Sequence, residues 1–480
     1  MSDVGITIKK DADFSEWYTE VVLKSGMAEY APIKGCMILR EHSYAIWEKI
    51  QEVFNRKIKE TGHSNVYFPM FIPESLLKKE AEHFEGFIPE VAWVTEGGSS
   101  LLEEKLAIRP TSETIMYATF VKWIRSWRDL PIKLNQWCNI VRWETKATKP
   151  FLRTREFLWQ EGHTVHATAE EAEKEVFYAL GEYKDLVESY LAIPVLVGKK
   201  TDSEKFAGAL YTTTMEAMMP DGKALQMGTS HNLGQNFAKV FGITFVGEDE
   251  QKHDVWQTSW GITTRLIGAL IMVHGDDRGL VLPPKVAPVQ VVIVPIPYKG
   301  ADPQAIAVKA KELYDALKQK GIAVVLDDRD EYTPGWKFNH WELKGVPIRI
   351  EIGPRDLKQQ QVMMARRDTF QKTAVKELEA VSAVEKLLIE IQHNLYAKAR
   401  VDLENKITIV QDYEGFKATL KTKGGFVKAA WCGRATCEVK IKDETSATIR
   451  LRPFEKEAPI SPCVGCGEKA DEVVYFARSY

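Results

Sequence analysis

Between positions 43 and 58, apolar side chains return every three or four residues, at Ile46, Trp47, Ile50, Phe54 and Ile58. That spacing predicts a helix with one buried face, within a helical stretch covering 14–60. From Gly62 to Pro73 the pattern becomes a short apolar run closed by two prolines. It reads as a strand at a sheet edge or exit, because proline cannot donate to a ladder. A second helical period fills 165–191, through Ala172, Val176, Leu180, Tyr183 and Val187. Residues 142–163 follow another pattern: after the apolar pair Ile140 and Val141 they pass a Lys-rich polar loop and return through Phe157, Leu158 and Trp159. Two antiparallel strands joined by a mobile loop are expected, with charges of both signs set among aromatics. Charges are costly to bury without partners. Either a polyanionic ligand lies across this hairpin, or its charges pair along a sheet edge.

The segment Arg109-Pro110-Thr111-Ser112-Glu113-Thr114 opens a helix expected to continue through Ile124 to Trp127. Hydroxyl residues ahead of an apolar period, with a carboxylate in the first turn, meet the needs of a helix start. Thr111 and Glu113 therefore either cap the helix or point a carboxylate into a pocket for an ammonium group. Residues 258–273 read as strand, turn and apolar helix, with Arg265 at the junction. There it needs an anion, either a carboxylate neighbour or a ligand phosphate. The proline-rich stretch 279–288 is the best domain boundary. Beyond it, strands at 289–296, 323–326 and 344–353 alternate with helices, the mark of a small α/β domain ending near a long helix at 374–404.

Composition narrows the classes. A chain of 480 residues is too long for one ordinary core, so two or three domains are expected. Its 45% hydrophobic and 27% charged residues are globular values. No apolar run is long enough to span a bilayer, and no secretory signal is visible, so cytoplasmic residence is the expectation. A net charge of −3 leaves any nucleic-acid contact to local basic patches. Cys36 and Cys138 stand alone, whereas Cys432, Cys437, Cys463 and Cys466 cluster near the end, as Cys-x4-Cys and Cys-x2-Cys. In a reducing compartment such a cluster argues for metal over disulfides. Four thiolates suit a closed, tetrahedral, structural Zn2+ site.

Three of these stretches, in this order, resemble the signatures of class II aminoacyl-tRNA synthetases. They are Gly62 to Pro69, Arg142-Trp143-Glu144 with the loop and Phe157, and Gly261-Ile262-Thr263-Thr264-Arg265 with its apolar helix. The strings Arg109 to Thr114, Phe151 to His163 and Gly228 to His231 narrow the resemblance to prolyl-tRNA synthetases of the archaeal and eukaryotic-like type, over essentially the whole chain. The resemblance implies an α+β catalytic domain built on an antiparallel sheet (1–284), an α/β anticodon-binding domain (285–390) and a small α/β zinc-binding C-terminal domain (391–480). It implies a homodimer joined through Gly62 to Pro73, and activation of L-proline with ATP and Mg2+ before transfer to tRNA(Pro).

Attack of a carboxylate on the α-phosphate needs positioning and charge neutralisation rather than a nucleophilic side chain, and no nucleophile signature appears. The resemblance assigns Arg142, Glu144 and Arg265 to the reacting centre. Arg153 and Arg265 would hold the outer phosphates, Glu144 the adenine amino group, and Phe157 the adenine ring. Thr154, Gln226, Thr229 and Thr263 complete the ATP contacts. Thr111 and Glu113 would take the proline ammonium, Arg142 its carboxylate and His231 its ring or ammonium, with Trp159, Glu161, His163 and Phe206 as walls. Glu342, Arg349 and Arg355 would read anticodon guanines, or else form a salt-bridged strand pair. Tyr480 would dock its carboxylate near the active site, and the 146–149 loop would approach the tRNA acceptor end. No editing insertion lies between Glu161 and Arg265, so proofreading is expected from elsewhere. A threonine-specific relative would place zinc inside the pocket, and a histidine-specific one would carry a different arginine loop. A silent tRNA-binding paralogue would have no reason to keep Arg142, Glu144, Arg265, Thr111 and Glu113 together.

Overall fold

The computed structural model describes residues 5–81, 90–143, 147–297 and 302–480. The patterned hairpin proves to be the loop end of a long ribbon: Ile132–Val141 and Glu156–His166 pair antiparallel from Ile132↔Val165 to Val141↔Glu156. The second strand pairs with Trp256–Thr263, that strand with Ala224–Gly234, and that one with Tyr211–Met218, all antiparallel. Because side chains alternate across a strand, this register sorts residues into rows. Thr212, His231, Ser259 and His163 share one face, which we term the reaction face; Thr213, Ser230, Trp260 and Gly162 share the other. Helices Phe14–Lys24, Glu41–Glu60, Ala169–Asp185 and Arg265–His274 contribute Trp17, Trp47, Tyr183 and Ile267 to one core with Trp260. Gly162 is required there: a Cβ on it would lie 2.2 Å from the Trp260 indole.

Several predicted elements divide. The stretch 14–60 is two helices, interrupted at Gly26 (φ 71°), with Ala28–Tyr30 and Met37–Leu39 paired between them. A left-handed glycine ends a helix without steric cost. The run from Gly62 to Pro73 is two short strands in different sheets: Ser64–Asn65 beside Ile132–Val141, and Phe71–Pro73 beside Ser100–Ile108. Between them, Phe68 N–H donates to the Gln136 side chain and Phe68 C=O accepts from Arg109, so side chains replace the ladder. The helix after Arg109 ends at Trp123, where Ile124 turns extended. The strand before the 165–191 helix runs on to His166, and Thr168 caps a helix starting at Ala169. The predicted 374–404 helix begins only at Ala380, since Lys372–Lys376 closes a sheet.

That sheet has the order Val324–Leu326, Val291–Pro295, Ile348–Ile352, Gln361–Arg366, Lys372–Lys376, the first three parallel and the rest antiparallel. Every residue of Val291–Pro295 is buried, as expected of a strand covered on both faces. The C-terminal strands do not form an isolated sheet. Thr448–Pro453 pairs with Leu196–Lys199 (Arg452↔Lys199), so among the described residues the large, mainly antiparallel sheet reaches eleven strands, from Ile407–Ile409 at one edge to Ser64–Asn65 at the other. A buried ion triad pins the join: Glu216 accepts from Lys200 Nζ at 2.7 Å and from Arg450 Nε and Nη2 at 3.1 Å each. No helix among the described residues is long and apolar enough to cross a membrane.

Candidate active site

The reaction face collects positive charge at one end. Arg142, exposed at the end of its strand, lies over the rings of Phe157 (5.7 Å) and Trp159 (5.9 Å) and donates to Pro110 C=O at 3.2 Å. Arg265 opens its helix and donates to the backbone carbonyls of Leu152 (3.3 Å) and Gln226 (3.4 Å). Burial first, and then the charges of Arg142, Arg450 and Arg153 against that of Glu216, push its pKa down to about 10. A guanidinium crowded by like charges is what an anionic ligand relieves. Among the described residues no carboxylate pairs directly with Arg265, which disfavours the salt-bridged alternative there. Thr263 Oγ accepts from Arg265 N–H at 3.1 Å, and Thr154 Oγ donates to Glu156 C=O at 2.7 Å. Arg153 is exposed on the returning loop, and Gln226 and Thr229 lie half-buried on Ala224–Gly234. Glu144 and Lys146 fall outside the described residues; Lys149 is tied down, donating to Ser15 Oγ at 3.0 Å.

Next to this cationic end is a buried polar pocket. Thr111 and Glu113 are buried and hydrogen-bonded to each other. Ser112, at the N-cap, makes no capping bond. Its hydroxyl donates instead to Glu161 Oε1 at 2.6 Å, so the hydroxyls predicted for the helix start serve the pocket. Glu161 is 2% exposed and receives Gln136 Nε2 at 2.8 Å on the same oxygen, with His163 Nε2 at 3.0 Å from the other. Burial opposes its ionisation, but the His163 bond and charge, then Ser112 and Gln136, outweigh it and hold the carboxyl below the ordinary range. His163 is held above its ordinary range: burial opposes, and Glu161, with Glu113 behind it, prevails. His231 differs. Burial, then the His163 charge, pushes its pKa down to about 3, so its ring is neutral, held between Thr212 (2.9 Å) and Thr229 (3.1 Å) with Phe206 at 4.7 Å.

Sequence reasoning missed four members of this pocket. Ser112 and Gln136 bind Glu161, and Cys138 Sγ accepts from Trp159 Nε1 at 3.1 Å. Ser259 lies in the row with His231 and His163; its buried Oγ finds no partner among the described residues. Its signal was alternation, since Ser259 is an even number of positions from Gly261 and Thr263.

The other candidates lie apart. Glu342 and Arg349 meet in an ion pair (2.8 Å), with Glu351 on Arg349 and Arg278 on Glu342, while Arg355 is exposed on the helix Pro354–Lys358. Tyr480 is held by its phenol, which donates to Asp221 at 2.6 Å, and its ring lies under Lys149 at 5.8 Å. The sulfurs of Cys432, Cys437, Cys463 and Cys466 lie within 4.8 Å of one another without disulfides. Arg434 donates to Cys432 Sγ (3.3 Å) and Cys466 Sγ (3.0 Å), charge compensation that suits thiolates.

Residues 94–274 match the model of the tRNA synthetase class II core domain (G, H, P, S and T), 290–387 that of the anticodon binding domain, and 413–480 that of the prolyl-tRNA synthetase C-terminal domain. Over 98% of its length the chain is 56% identical to the proline–tRNA ligase of Natranaerobius thermophilus, covering 96% of that protein. The chain belongs to the prolyl-tRNA synthetase family. A proline–tRNA ligase of Cenarchaeum symbiosum is 52% identical, over 99% of this chain and 100% of that one. The crystal structure of prolyl-tRNA synthetase from Cryptosporidium parvum, complexed with halofuginone and AMPPNP, superimposes with a TM-score of 0.95. It is 48% identical, with 99% of this chain and 100% of the other covered. The antiparallel catalytic sheet, the α/β anticodon-binding fold and the proline–tRNA ligase class expected from the sequence are thereby shown.

Proposed function

We propose that the reaction face carries out the family's reaction: L-proline is activated with ATP to prolyl-adenylate, pyrophosphate leaves, and the prolyl group passes to tRNA(Pro). The observation that carries this is the adjacency of a three-arginine cluster to a pocket with a buried carboxylate, Glu113, and a neutral imidazole, His231. Proline enters with its ammonium toward Thr111 and Glu113 and its ring toward His231 and Phe206. A neutral His231 adds no repulsion to the ammonium. Arg142 bridges the proline carboxylate and the α-phosphate with its planar fork, neutralising charge as the phosphorus–oxygen bond forms. Arg153 and Arg265 take the departing phosphates, and Phe157 takes the adenine ring. Glu144 is assigned the adenine amino group, and Thr154, Gln226, Thr229 and Thr263 the remaining ATP contacts. Holding the two substrates in line removes roughly 7–11 kcal/mol from the barrier in well-oriented systems.

We assign tRNA(Pro) anticodon contact to Glu342, Arg349 and Arg355. The domains are divided at 1–284, 285–390 and 391–480, with dimer contact through Gly62 to Pro73 and cytoplasmic residence. The four cysteines fit Zn2+, which when bound supplies a structural crosslink and no reaction step. Proline-dependent exchange of pyrophosphate into ATP tests the reading: stimulation by proline supports it, and stimulation by another amino acid alone defeats it.

A further inference from the structure

Away from the reaction face, the seam between Leu196–Lys199 and Thr448–Pro453 holds a groove of about 590 Å³. Lys199, Lys205, Arg452 and Lys456 line it together with Phe177 and Phe454. Register places it behind the sheet: Lys199 pairs with Thr213, whose row runs through Ser230 to Trp260. In the sheet order six strands separate the seam from Ser64–Asn65, the segment assigned to dimer contact.

The charge in the groove is not balanced. Its two lining carboxylates are already engaged: Glu472 with Arg452 at 3.0 Å, and Asp202 with Lys205 at 3.0 Å. Lys199 and Lys456 have no carboxylate within ion-pair distance among the described residues. The Lys199 ammonium stands 4.0 Å over the Tyr211 ring. Phe177 and Phe454 meet edge to face at 5.4 Å, yet remain 39% and 38% exposed. Two ammonium groups without carboxylate partners, in one groove with two partly exposed rings, fit a ligand that is anionic at one end and flat at the other. The volume falls within the roughly 300–1,000 Å³ of small-molecule sites.

We propose that this groove binds a nucleotide unit, with its phosphate at Lys199 and Lys456 and its base against Phe454 and Phe177. The unit comes either from a free mononucleotide or from the tRNA chain; only the second source rests on the function assigned above. An occupant would touch both the catalytic sheet and the C-terminal strands, so it would also brace their join.

The test compares the full-length chain with the pair Lys199→Gln/Lys456→Gln and with Phe454→Ala, none of which touches the reaction face. Equilibrium dialysis counts AMP per chain, filter retention across a salt series gives tRNA affinity, and proline-dependent pyrophosphate exchange reports the reaction site. If tRNA is the source, the lysine pair weakens tRNA binding about tenfold and lowers the salt slope by about two. Phe454→Ala then weakens binding without changing the slope. If a mononucleotide is the source, each variant binds one AMP per chain fewer than the parent. Exchange stays at the parent rate in either case. An AMP count that is the same in the parent and both variants, together with unchanged tRNA affinity and slope, overturns the groove. A parent chain without proline-stimulated exchange would overturn the assigned reaction and leave the AMP count standing.

Discussion

Gln136 Nε2 donates to Glu161 Oε1 at 2.8 Å, and the same amide reaches Ser112 Oγ at 3.2 Å. Its Oε1 accepts Phe68 N–H, so one fully buried amide ties the broken strand after Gly62 to the pocket. Gln136→Met keeps the volume and removes these bonds. Buried partners left unsatisfied cost about 1–3 kcal/mol. The expected result is a five- to hundredfold rise in KM for proline with KM for ATP unchanged, measured by pyrophosphate exchange. An equal rise in both would assign Gln136 to general stability.

Glu161 and His163 give the pocket a defined pH window. The Glu161 pKa is depressed on folding, so its contribution is present above the unfolded carboxyl value and is lost as pH falls through the folded one. The His163 pKa is raised, so its contribution is full below the unfolded imidazole value and is lost as pH rises through the folded one. Both are fully present only between the two unfolded values, at about pH 4.5–6.5. Thermal unfolding followed across pH should show that maximum. His163→Gln should flatten its alkaline side; a variant with the parent's alkaline slope would exclude His163 as the group responsible.

The planar fork of Arg142 lies over two rings, and a lysine ammonium reproduces its charge without that shape. Arg142→Lys should therefore lower kcat of exchange by about 10²-fold, the cost of one misplaced stabilising donor. Retention of the parent kcat would show that charge alone suffices there.

Much of the candidate site was legible because the residues the structure brings together fall in short runs: Thr111 to Glu113, Phe157 to His163, and Thr263 to Arg265. Their chemistry is stated locally, by a cap position, an alternating strand or a helix start. What could not be read was what register creates. Gln136 and Cys138 sit in a strand of mixed polar and apolar residues, and only pairing with Glu161 and Trp159 brings them into the pocket. The same holds for the fold. The hairpin and the parallel strands follow from local periodicity, whereas the pairing of Arg452 with Lys199 joins segments far apart in sequence, each of which looks like a plain edge.

The cysteine cluster predicts one zinc per chain. Cys463→Ser and Cys466→Ser should each lose the metal on elemental analysis. Because the C-terminal strands continue the catalytic sheet, they should also lower the melting temperature of the whole chain, by more than about 5 °C. A full zinc complement in both variants would place the metal elsewhere.

The Lys200–Glu216–Arg450 triad joins the two sheet segments through charges that are all buried. Removing the shared carboxylate strands two buried cations, so Glu216→Leu should cost about 3–5 kcal/mol. Replacing all three with apolar residues of similar size removes the stranded charges as well, and such replacements are often neutral. Lys200→Met/Glu216→Leu/Arg450→Met should therefore be more stable than Glu216→Leu alone in denaturant unfolding. If the triad only joins the segments, the triple variant should also keep proline-dependent exchange. The charges of Glu216 and Arg450 both act on Arg265, however. A stable triple variant with a raised KM for ATP and an unchanged KM for proline would show that the join also sets the field at the phosphate end of the reaction face.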